Sequence, residues 1–518
     1  METPGHDIHR LEQQRRDNRE NAAKLGLAPY GGRTAGLVAL ADAAKKYDSA
    51  ADVEFKEKGK EPGFADRRPV AKVAGRVVLH RDNGKLIWLN LRDSSGDLQV
   101  AVSQRECPSP GFDLAKLTDL GDVLVAEGPL VKTRTGEVTV WATSLAPAAK
   151  CLVPPPEKHA GLQDVELRYR QRYTDLWATP ETMKVFRLRS QMVSEVRRLL
   201  DGRGFQEVET PMLQTLAGGA AARPFKTHMN ALDIELFLRI APELYLKRLL
   251  VGGMPRVYEI NRNFRNEGLD KQHNPEFTML EVYEAFGDCG TVMQLTEDVV
   301  RACATMVARE CGVPDLVLPF GDLKIDYGPP FARVTYAELF ERALGFPAGD
   351  GGRAREEAVK RHVISAEAIR KMDDVLVVNE LFEEVAEKSI DAARPTFITE
   401  YPAALSPLTR PKPGNPAVAE RSDLFIAHME LAPHYTELND PDVQEAKFRE
   451  QLKGIDDEEQ TFRTFDEDFI RALKVGMPPA GGLGLGIDRL AMVLTNQRTI
   501  RDVMLFPMMR PEAGKGAS

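Results

Sequence analysis

The chain has 518 residues, 43% of them hydrophobic and 28% charged, and its formal net charge is −9 at pH 7. This length exceeds what one hydrophobic core can fill, so we expect two or more domains. The sequence contains no run of 18 apolar residues, no apolar signal-peptide core and no CxxC pair, which argues against a membrane protein, a secreted protein and a structural zinc site. We therefore expect a cytoplasmic protein, and its acidic balance argues against a general nucleic-acid coat.

Residues 1–65 are predicted to contain one polar helix followed by a linker. The helix covers residues 9–26 and ends at Gly26, a residue type that often follows a helix. Its basic side chains suit either a solvated face or an arm that contacts phosphates. Residues 42–66 are charged and weakly patterned, which is typical of a linker.

Residues 66–150 change to short β-rich runs that are separated by glycines at turn positions. About five strands in this range favour a small Greek-key barrel of the OB type, although the same period allows an SH3-like barrel. A proline-rich linker at 151–164 precedes residues 165–512, which alternate helices and strands and predict a larger α+β domain. In that domain we expect helix at 165–200, a strand ending at Pro211 and a helical insertion at about 335–395.

The most informative stretch is 256–286, which predicts a strand, a polar loop and a second strand. Side chains of a strand alternate between its faces, so Phe277, Glu281 and Tyr283 share one face. An aromatic ring can stack on a purine, a carboxylate can pair with an ammonium group, and Arg265 in the loop can fork onto a phosphate. The pattern favours a site for a nucleotide and a cationic substrate; its alternative is a polar hairpin with surface ion pairs.

Two further sets of residues lie closer to the C-terminus. Residues 478–496 combine closely spaced glycines with a helix that carries Arg489 in its first turn, which leaves room for a ligand and favours phosphate. We interpret the neighbouring Asp488 as a cap or an ion-pair partner. Residues 421–440 supply Asp423 and Glu430, whose oxygens suit Mg²⁺ if phosphates complete its shell, or else form an ordinary acidic surface.

Together these sets resemble motifs 2 and 3 of the class II aminoacyl-tRNA synthetases, and residues 181–211 resemble motif 1. GLQDVELRYRQRYTDL at 161–176, and FRNEG followed by HNPEFTMLEVY, are similar to the lysyl-tRNA synthetases of subclass IIb. The resemblance implies an α+β multidomain protein with an N-terminal OB-fold barrel that binds the anticodon. Its catalytic domain would contain an antiparallel sheet of six to seven strands flanked by helices. The implied ligands are ATP, L-lysine, Mg²⁺ and tRNA(Lys), and the implied assembly is a homodimer around motif 1.

The resemblance also implies roles for residues at matching positions. The catalytic cations, which hold the ATP phosphates, are Arg265 and Arg489. The nucleotide is further surrounded by Glu267, His273, Asn274 and Phe277. The lysine pocket consists of Gly219, Glu243, Glu281, Tyr283, Tyr435 and Glu437. Mg²⁺ is assigned to Asp423 and Glu430, and anticodon bases to Trp88, Gln99 and Glu137.

The sequence departs from the lysyl pattern before Tyr435, where the family usually has Asn followed by Gly or Ala. Pro433 and His434 stand there. Pro433 has no side-chain amide and no backbone N–H, so a contact to the amino acid is lost or moved. His434 is either a substitute polar ligand or a structural residue. Met429 also replaces a usual Lys or Arg.

Three other interpretations of the chain stay open from the sequence. Aspartyl- and asparaginyl-tRNA synthetases share the barrel and the class motifs, but their substrates do not call for a carboxylate such as Glu281. A lysyl transferase that acts on a protein would lack the anticodon barrel. The third is a divergent paralogue, with altered substrate or lost catalysis, that acts as an RNA-binding protein.

Overall fold

The structure is a computed structural model that describes residues 10–155, 162, 164–220, 222–406, 408–451 and 465–511. The chain divides into two compact units, Met1–Lys184 and Val185–Ser518, each with its own hydrophobic core. Parts of the predicted N-terminal segment, of the 151–164 linker, of the 161–176 motif and of the C-terminal end lie outside the described residues. In the described ranges, none of the helices combines the length and apolar character needed to cross a bilayer.

The first unit contains a closed β-barrel. The barrel strands are β1 Val70–Asp82, β2 Leu86–Asp93, β3 Gly96–Ser103, β4 Val123–Lys132, β5 Val138–Ala142 and β6 Ser144–Ala149. They follow the order β1-β2-β3-β5-β4-β6, and β1 also pairs with β4, which closes the sheet on itself. The pair β3–β5 is parallel and the other pairs are antiparallel. This is the OB arrangement, so the OB-fold prediction is confirmed over its SH3-like alternative.

The helices of the first unit include three that we did not predict, α2, α3 and α4 in the following list. The helices are α1 Arg10–Lys24, α2 Leu40–Lys45, α3 Ser49–Lys58, α4 Gly111–Leu117, α5 Val165–Arg170 and α6 Arg172–Ala178. The prediction of a linker at 42–66 was therefore wrong for α2 and α3. Asp48 caps α3 by accepting bonds from the backbone N–H groups of Ala50 and Ala51, a local signal that short length and weak periodicity had obscured.

Two arginines of helix α1 form contacts within the first unit. Arg15 is buried, and its guanidinium donates to the carbonyl oxygens of Leu120 and Cys151 at 2.9 and 2.8 Å. Arg16 pairs with Glu12 on the same helix. Arg15 therefore attaches the helix to other segments of the first unit, whereas Arg16 forms an ion pair within the helix.

The second unit is built on a mixed sheet of eight strands, counted over the described residues. Its order is β15-β16-β19-β20-β21-β12-β11-β7, antiparallel from β16 to β11, with a parallel strand at each edge. The six strands from β16 to β11 agree with the implied antiparallel sheet of six to seven strands. The expectation is corrected at the edges, where β15 and β7 are two further strands that pair in parallel. The strands are β7 Gln206–Glu207, β11 Arg256–Phe264, β12 Glu276–Ala285, β15 Ala332–Thr335, β16 Thr396–Thr399, β19 Arg421–Ile426, β20 Met429–Thr436 and β21 Ala480–Gly486.

Smaller sheets and the helices complete this unit. The other strands are β8 Leu213–Gln214, β9 Lys226–Met229, β10 Ile234–Leu238, β13 Val317–Phe320, β14 Leu323–Asp326, β17 Pro411–Lys412 and β18 Asn415–Ala419. The helices are α7 Pro180–Gly202, which starts before the unit boundary, α8 Glu243–Val251, α9 Cys289–Cys311, α10 Tyr336–Leu344, α11 Gly351–Lys360, α12 Asp374–Leu381, α13 Pro441–Gln451, α14 Glu467–Gly476, α15 Ile487–Leu494 and α16 Ile500–Val503. The strand predicted to end at Pro211 is reduced to the two residues of β7, because the chain turns away after one short parallel pairing.

The two faces of the central strands have different environments. On one face, apolar residues such as Leu280, Val282 and Leu485 pack with α7, α9 and α15 into the largest core of the unit. The opposite face of β12 and β21 presents carboxylates, a phenol and glycines. Because side chains alternate along a strand, packing of the apolar side chains in the core fixes the position of the polar side chains on the opposite face.

Candidate active site and nucleic-acid interface

A cleft of about 280 Å³ opens over the polar face of β12, beside the start of α15. All six residues predicted to bind the nucleotide line this cleft, together with the predicted metal ligand Glu430 and the unusual Pro433. The six are Arg265, Glu267, His273, Asn274, Phe277 and Arg489. The structure thus brings together residues from the 265–277 loop and strand with one from a helix more than 200 positions later.

Arg265 and Phe277 form an aromatic and cationic wall of the cleft. The guanidinium carbon lies 5.1 Å from the ring centroid, and the Arg265 Nε atom is buried without a hydrogen-bond partner among the described residues. A buried, unpaired donor costs free energy unless something else accepts its hydrogen. A phosphate oxygen would satisfy it, while the ring face is free to stack on a base.

A chain of hydrogen bonds orients the second arginine. Arg489 donates to the backbone oxygen of Glu430 at 2.6 Å and to His273 Nε2 at 3.0 Å. Because a guanidinium only donates, His273 Nε2 accepts, and its Nδ1–H faces Asp270 at 2.8 Å. Two of the Arg489 donors are therefore fixed, and the side chain stands at the positive end of α15, where an anion is favoured.

Asp488 anchors the same helix start. Its carboxylate accepts from the backbone N–H of Thr278 at 2.7 Å and from the Arg189 guanidinium at 2.6 Å. The interpretation of Asp488 as an ion-pair partner is confirmed. One carboxylate thus joins α7, β12 and α15.

The predicted amino-acid pocket is a cluster of acidic side chains that continues along β12 from the nucleotide cleft. Glu281 is only 6% exposed, and the Tyr283 hydroxyl donates to it at 3.3 Å. Burial and the nearby charge of Glu243 raise the pKa of the Glu281 carboxyl to about 8. In the described part of the chain, no Lys, Arg or His nitrogen lies within 4 Å of this carboxylate. The pocket therefore holds an acid that lacks a cationic partner of its own.

Glycines bring the backbone close to these acids. A Cβ placed on Gly482 would lie 2.0 Å from Glu437 Oε1 and 2.7 Å from Tyr283 Cε1. Gly219 adopts φ +86°, and a Cβ there would lie 3.1 Å from the Cβ of Glu243. Tyr435 is paired with Gly482 across β20 and β21. The six residues predicted for the amino-acid pocket are thus linked through β12, β21 and the start of α8.

Sequence reasoning missed Lys247, which is fully buried beside this pocket. Its ammonium lies 2.7 Å from Glu243 Oε1 and 2.5 Å from Glu437 Oε2. Burial lowers the pKa of Lys247, but the two carboxylates together raise it above the ordinary value. The spacing of Glu243 and Lys247, four positions apart on a helix, was a visible signal for one of the two contacts.

The two predicted metal ligands, Asp423 and Glu430, have different surroundings. The Arg421 guanidinium pairs with Asp423 through two bonds, at 2.7 and 3.2 Å, and Asp423 is 2% exposed. Glu430 lies at the cleft, where its carboxylate faces the nucleotide residues. No group of three or more acidic, histidine or cysteine side chains suited to a metal occurs among the residues that the structure describes. Glu430 can share an ion with phosphate oxygens, whereas Asp423 is already engaged.

The departures from the lysyl pattern fall on both faces of β20. Pro433 lines the cleft, whereas His434 is fully buried on the other face. His434 contacts the Thr296 hydroxyl at 2.8 Å and the Ser422 carbonyl oxygen at 3.2 Å, and burial lowers its pKa to about 4. A buried, neutral imidazole with a hydrogen-bond partner at each nitrogen supports the structural interpretation of His434. Met429 is part of the core.

The first unit has a separate pocket of about 1040 Å³ on its barrel. All three predicted anticodon residues line it, with Trp141 as a second aromatic ring 6.2 Å from Trp88. Thr139 donates its hydroxyl to Gln99 Oε1 at 2.8 Å, and Gln99 Nε2 donates to Glu137 at 2.9 Å. The remaining walls include the basic residues Lys56, Arg68, Arg81, Lys132 and Arg134. Rings, a fixed amide and positive charge are the features that bind single-stranded nucleic acid.

Comparisons with known proteins agree with both sites. Residues 164–510 match the family model for tRNA synthetases of class II (D, K and N), and residues 71–148 match an OB-fold nucleic acid binding domain. A lysine–tRNA ligase of Pelotomaculum thermopropionicum is 43% identical over 507 residues, covering 98% of this chain and 96% of that protein. Lysine–tRNA ligases of Ectopseudomonas mendocina and Escherichia coli are 46% and 45% identical, covering 89% and 85% of this chain and 89% and 86% of those proteins.

Proposed function

The chain belongs to the class II tRNA synthetases of the D, K and N group, and from this premise we propose that it is a lysine–tRNA ligase. It uses ATP to convert L-lysine to lysyl-adenylate, and it then transfers the lysyl group to the terminal adenosine of tRNA(Lys). The observation that carries the choice of lysine is Glu281, a buried carboxylate without a cationic partner of its own, next to the nucleotide cleft. An aspartate or asparagine side chain would place no cation there.

Activation requires little proton transfer. The carboxylate of lysine is ionised at neutral pH, so it can attack the α-phosphorus of ATP directly, and pyrophosphate leaves. Arg265 and Arg489 hold the phosphates and offset the charge that develops in the transition state. Phe277 stacks on the adenine, and its distance from Arg265 sets the spacing between base and phosphate. In the second step a terminal ribose hydroxyl, the 3′ one by analogy with the class, attacks the acyl carbon of lysyl-adenylate; the acyl–phosphate bond breaks and AMP leaves.

Selectivity comes from the acidic pocket. A charge pair at ~4 Å is worth about 4 kcal/mol at an effective dielectric near 20. A neutral amino acid would leave Glu281 unpaired or protonated, so discrimination of several orders of magnitude is within reach. The adjacent Tyr283 hydroxyl orients the carboxylate that receives the ammonium group.

We further propose that Mg²⁺ is bound with the triphosphate at Glu430. When present, the ion would neutralise phosphate charge. Glu430 fits this role because its carboxylate faces the cleft, and Asp423 is the second predicted ligand, held by Arg421 beneath it. The barrel pocket is proposed to take the anticodon, with Trp88 stacking on a base and Gln99 and Glu137 contacting base edges.

Two properties of the whole assembly are also proposals. A homodimer around the motif 1 segment, α7, is expected for the family, and a translation enzyme of this type would work in the cytoplasm. The divergent RNA-binding paralogue is not favoured by any observation, because Arg265 and Arg489 line one cleft and Glu281 lies farther along β12, the strand that contributes Phe277 to it.

The proposal is tested by ATP–pyrophosphate exchange with each of the amino acids in turn. We expect exchange with lysine and at most a trace with aspartate and asparagine. Exchange that depends on aspartate or asparagine would refute the lysine assignment. Absence of exchange with every amino acid, together with retained tRNA binding, would favour the paralogue.

A further inference from the structure

Lys247 lies beneath the proposed amino-acid pocket and has no access to solvent. It stands on α8, one turn after Glu243, and its ammonium bridges that residue to Glu437, which follows β20. A fully buried ammonium loses its hydration, which costs several kcal/mol unless both partners are well placed. Two carboxylates within 2.7 Å satisfy this requirement.

The other groups on the pocket side of Lys247 are acidic residues and two arginines, which are directed at Glu259 and Glu281. From β12, Glu281 and the Tyr283 phenol face Glu243 and Glu437, and from β11, Glu259 is paired with Arg239. Arg265 approaches Glu281 from the nucleotide side. On the outer face of α8, Arg248 pairs with Asp466 and Asp468 of the α14 region. Lys247 is therefore the cation that directly contacts the acids of the pocket.

The charges of the pocket can be counted. The acids Glu243, Glu281 and Glu437 carry three negative charges when ionised, and Lys247 offsets one, so two remain. L-Lysine at neutral pH carries two ammonium groups, and its carboxylate is left for Arg265. The fixed cation therefore adjusts the pocket to a substrate with two positive charges.

We propose that Lys247 is a positioning residue for substrate recognition, which holds the Glu243 and Glu437 carboxylates close together so that the pocket complements a diamino acid. This inference rests on the proposed function, because it takes lysine as the substrate. Without Lys247, the two carboxylates stay together only by sharing a proton. Lysine binding then acquires a second pH dependence, of opposite sign to that from Glu281, since loss of the shared proton separates the carboxylates.

The test compares Lys247→Met, Lys247→Arg and the matched control Arg248→Met, which removes the next cation on α8 outside the pocket. Lysine and ATP KM values are measured by pyrophosphate exchange at pH 6.5, 7.5 and 8.5, with thermal unfolding alongside. We expect Lys247→Met to raise the lysine KM about 50-fold or more at pH 7.5, which corresponds to about 2.3 kcal/mol. The rise should grow with pH, while the ATP KM stays within about threefold.

The control and the arginine variant separate positioning from mere stability. Arg248→Met should leave the lysine KM within about threefold at every pH, and Lys247→Arg should restore it to within about tenfold of the wild type. A lysine KM unaffected by Lys247→Met, an equal rise in both KM values at all pH, or an arginine variant as impaired as methionine would overturn the proposal. Wild-type protein without lysine-dependent exchange would instead refute the proposed function.

A measurement on the unaltered protein keeps the inference testable if Lys247→Met fails to fold. Calorimetric titration of lysine in buffers of different ionisation enthalpy gives the number of protons released on binding. Because the Lys247 ammonium bridges the Glu243 and Glu437 carboxylates and offsets one of their charges, proton release at pH 7.5 should be about one or less. Release approaching two protons would show that Lys247 does not offset the charge of the pair, and would contradict the proposal.

Discussion

The two proposed binding sites of this protein differ in the physical features that they offer to a ligand. The cleft of the second unit is small, about 280 Å³, and adjoins buried carboxylates, arginines and glycines on adjacent strands. The pocket of the barrel is larger, about 1040 Å³, and combines two tryptophans with a fixed amide and a rim of basic residues. A small ion is selected by unpaired charge in a low-dielectric site, whereas a base is selected by ring stacking and edge geometry. Substitutions in one pocket should therefore leave the other function intact.

The largest expected effect tests the charge-based pocket. Glu281→Gln removes the carboxylate but keeps its shape, so lysine-dependent exchange should fall by about 1,000-fold or more while ATP still binds. Glu276→Gln is the matched control, because Glu276 lies on the same strand and pairs with Arg262 on the exposed surface. Lysine-dependent exchange within tenfold of the wild type would remove Glu281 from the proposed recognition of lysine.

The next effect tests the stacking pocket. Trp88→Ala should raise the KM for tRNA about 5- to 150-fold, because loss of one stacked base costs about 1–3 kcal/mol. Exchange without tRNA should be unchanged, since that reaction does not involve the barrel. Tyr30→Ala, at an exposed aromatic of the same unit outside the pocket, serves as the control. A loss of exchange in Trp88→Ala would show that the two pockets are not independent.

An effect of about tenfold is expected from pH alone. The Glu281 carboxyl, with its pKa raised to about 8, is mostly neutral below that pH and ionised above it. The lysine KM should therefore fall by up to about tenfold per pH unit between pH 6.5 and 8, with little change in the KM for ATP. In the lysine-free protein the same group takes up a proton on folding between its ordinary pKa and 8. The free energy of unfolding should thus decrease as pH rises through this window, and added lysine should offset the decrease.

The smallest effect concerns the orientation of an amide. The Thr139 hydroxyl lies 2.8 Å from Gln99 Oε1 and 3.3 Å from the Glu137 backbone oxygen, and its bond to Gln99 leaves the amide N–H beside the Glu137 carboxylate. A donor next to an acceptor complements O4 and N3–H of uracil, the middle anticodon base for lysine, and opposes cytosine. Thr139→Val should reduce discrimination between uridine and cytidine about three- to tenfold, as one hydrogen bond is lost. Thr143→Val, an exposed hydroxyl of the same barrel, should leave discrimination unchanged.

Part of the site on the second unit followed from local sequence patterns, whereas the barrel residues Trp88, Gln99 and Glu137 came from the resemblance to the family. Alternation along 276–285 placed Phe277, Glu281 and Tyr283 on one face, and the glycines of β21 indicated a close approach before the distance between Gly482 and Glu437 was known. These inferences depend on the fixed period of a strand, so neighbouring residues suffice.

Contacts between distant segments were not predictable in this way. Lys247 meets Glu437 across 190 positions, and Thr139 meets Gln99 across 40. Helices α2 and α3 were missed because each is short and has little apolar periodicity. The ion pair between Asp423 and Arg421 could have been predicted, because residues two apart on a strand share one face. The acidic pattern instead indicated a metal ligand.

The ion pair of Asp488 would connect the nucleotide site with the interface of the proposed dimer. Arg489 lies on α15, and Asp488 in the first turn of that helix forms an ion pair with Arg189 of α7, the segment proposed to face a second copy. If α7 tilts when the copies separate, the Arg489 guanidinium should move with it. The acids that contact Lys247 of α8 should keep their positions. Dilution below the dimerisation threshold should weaken affinity for ATP before it weakens affinity for lysine.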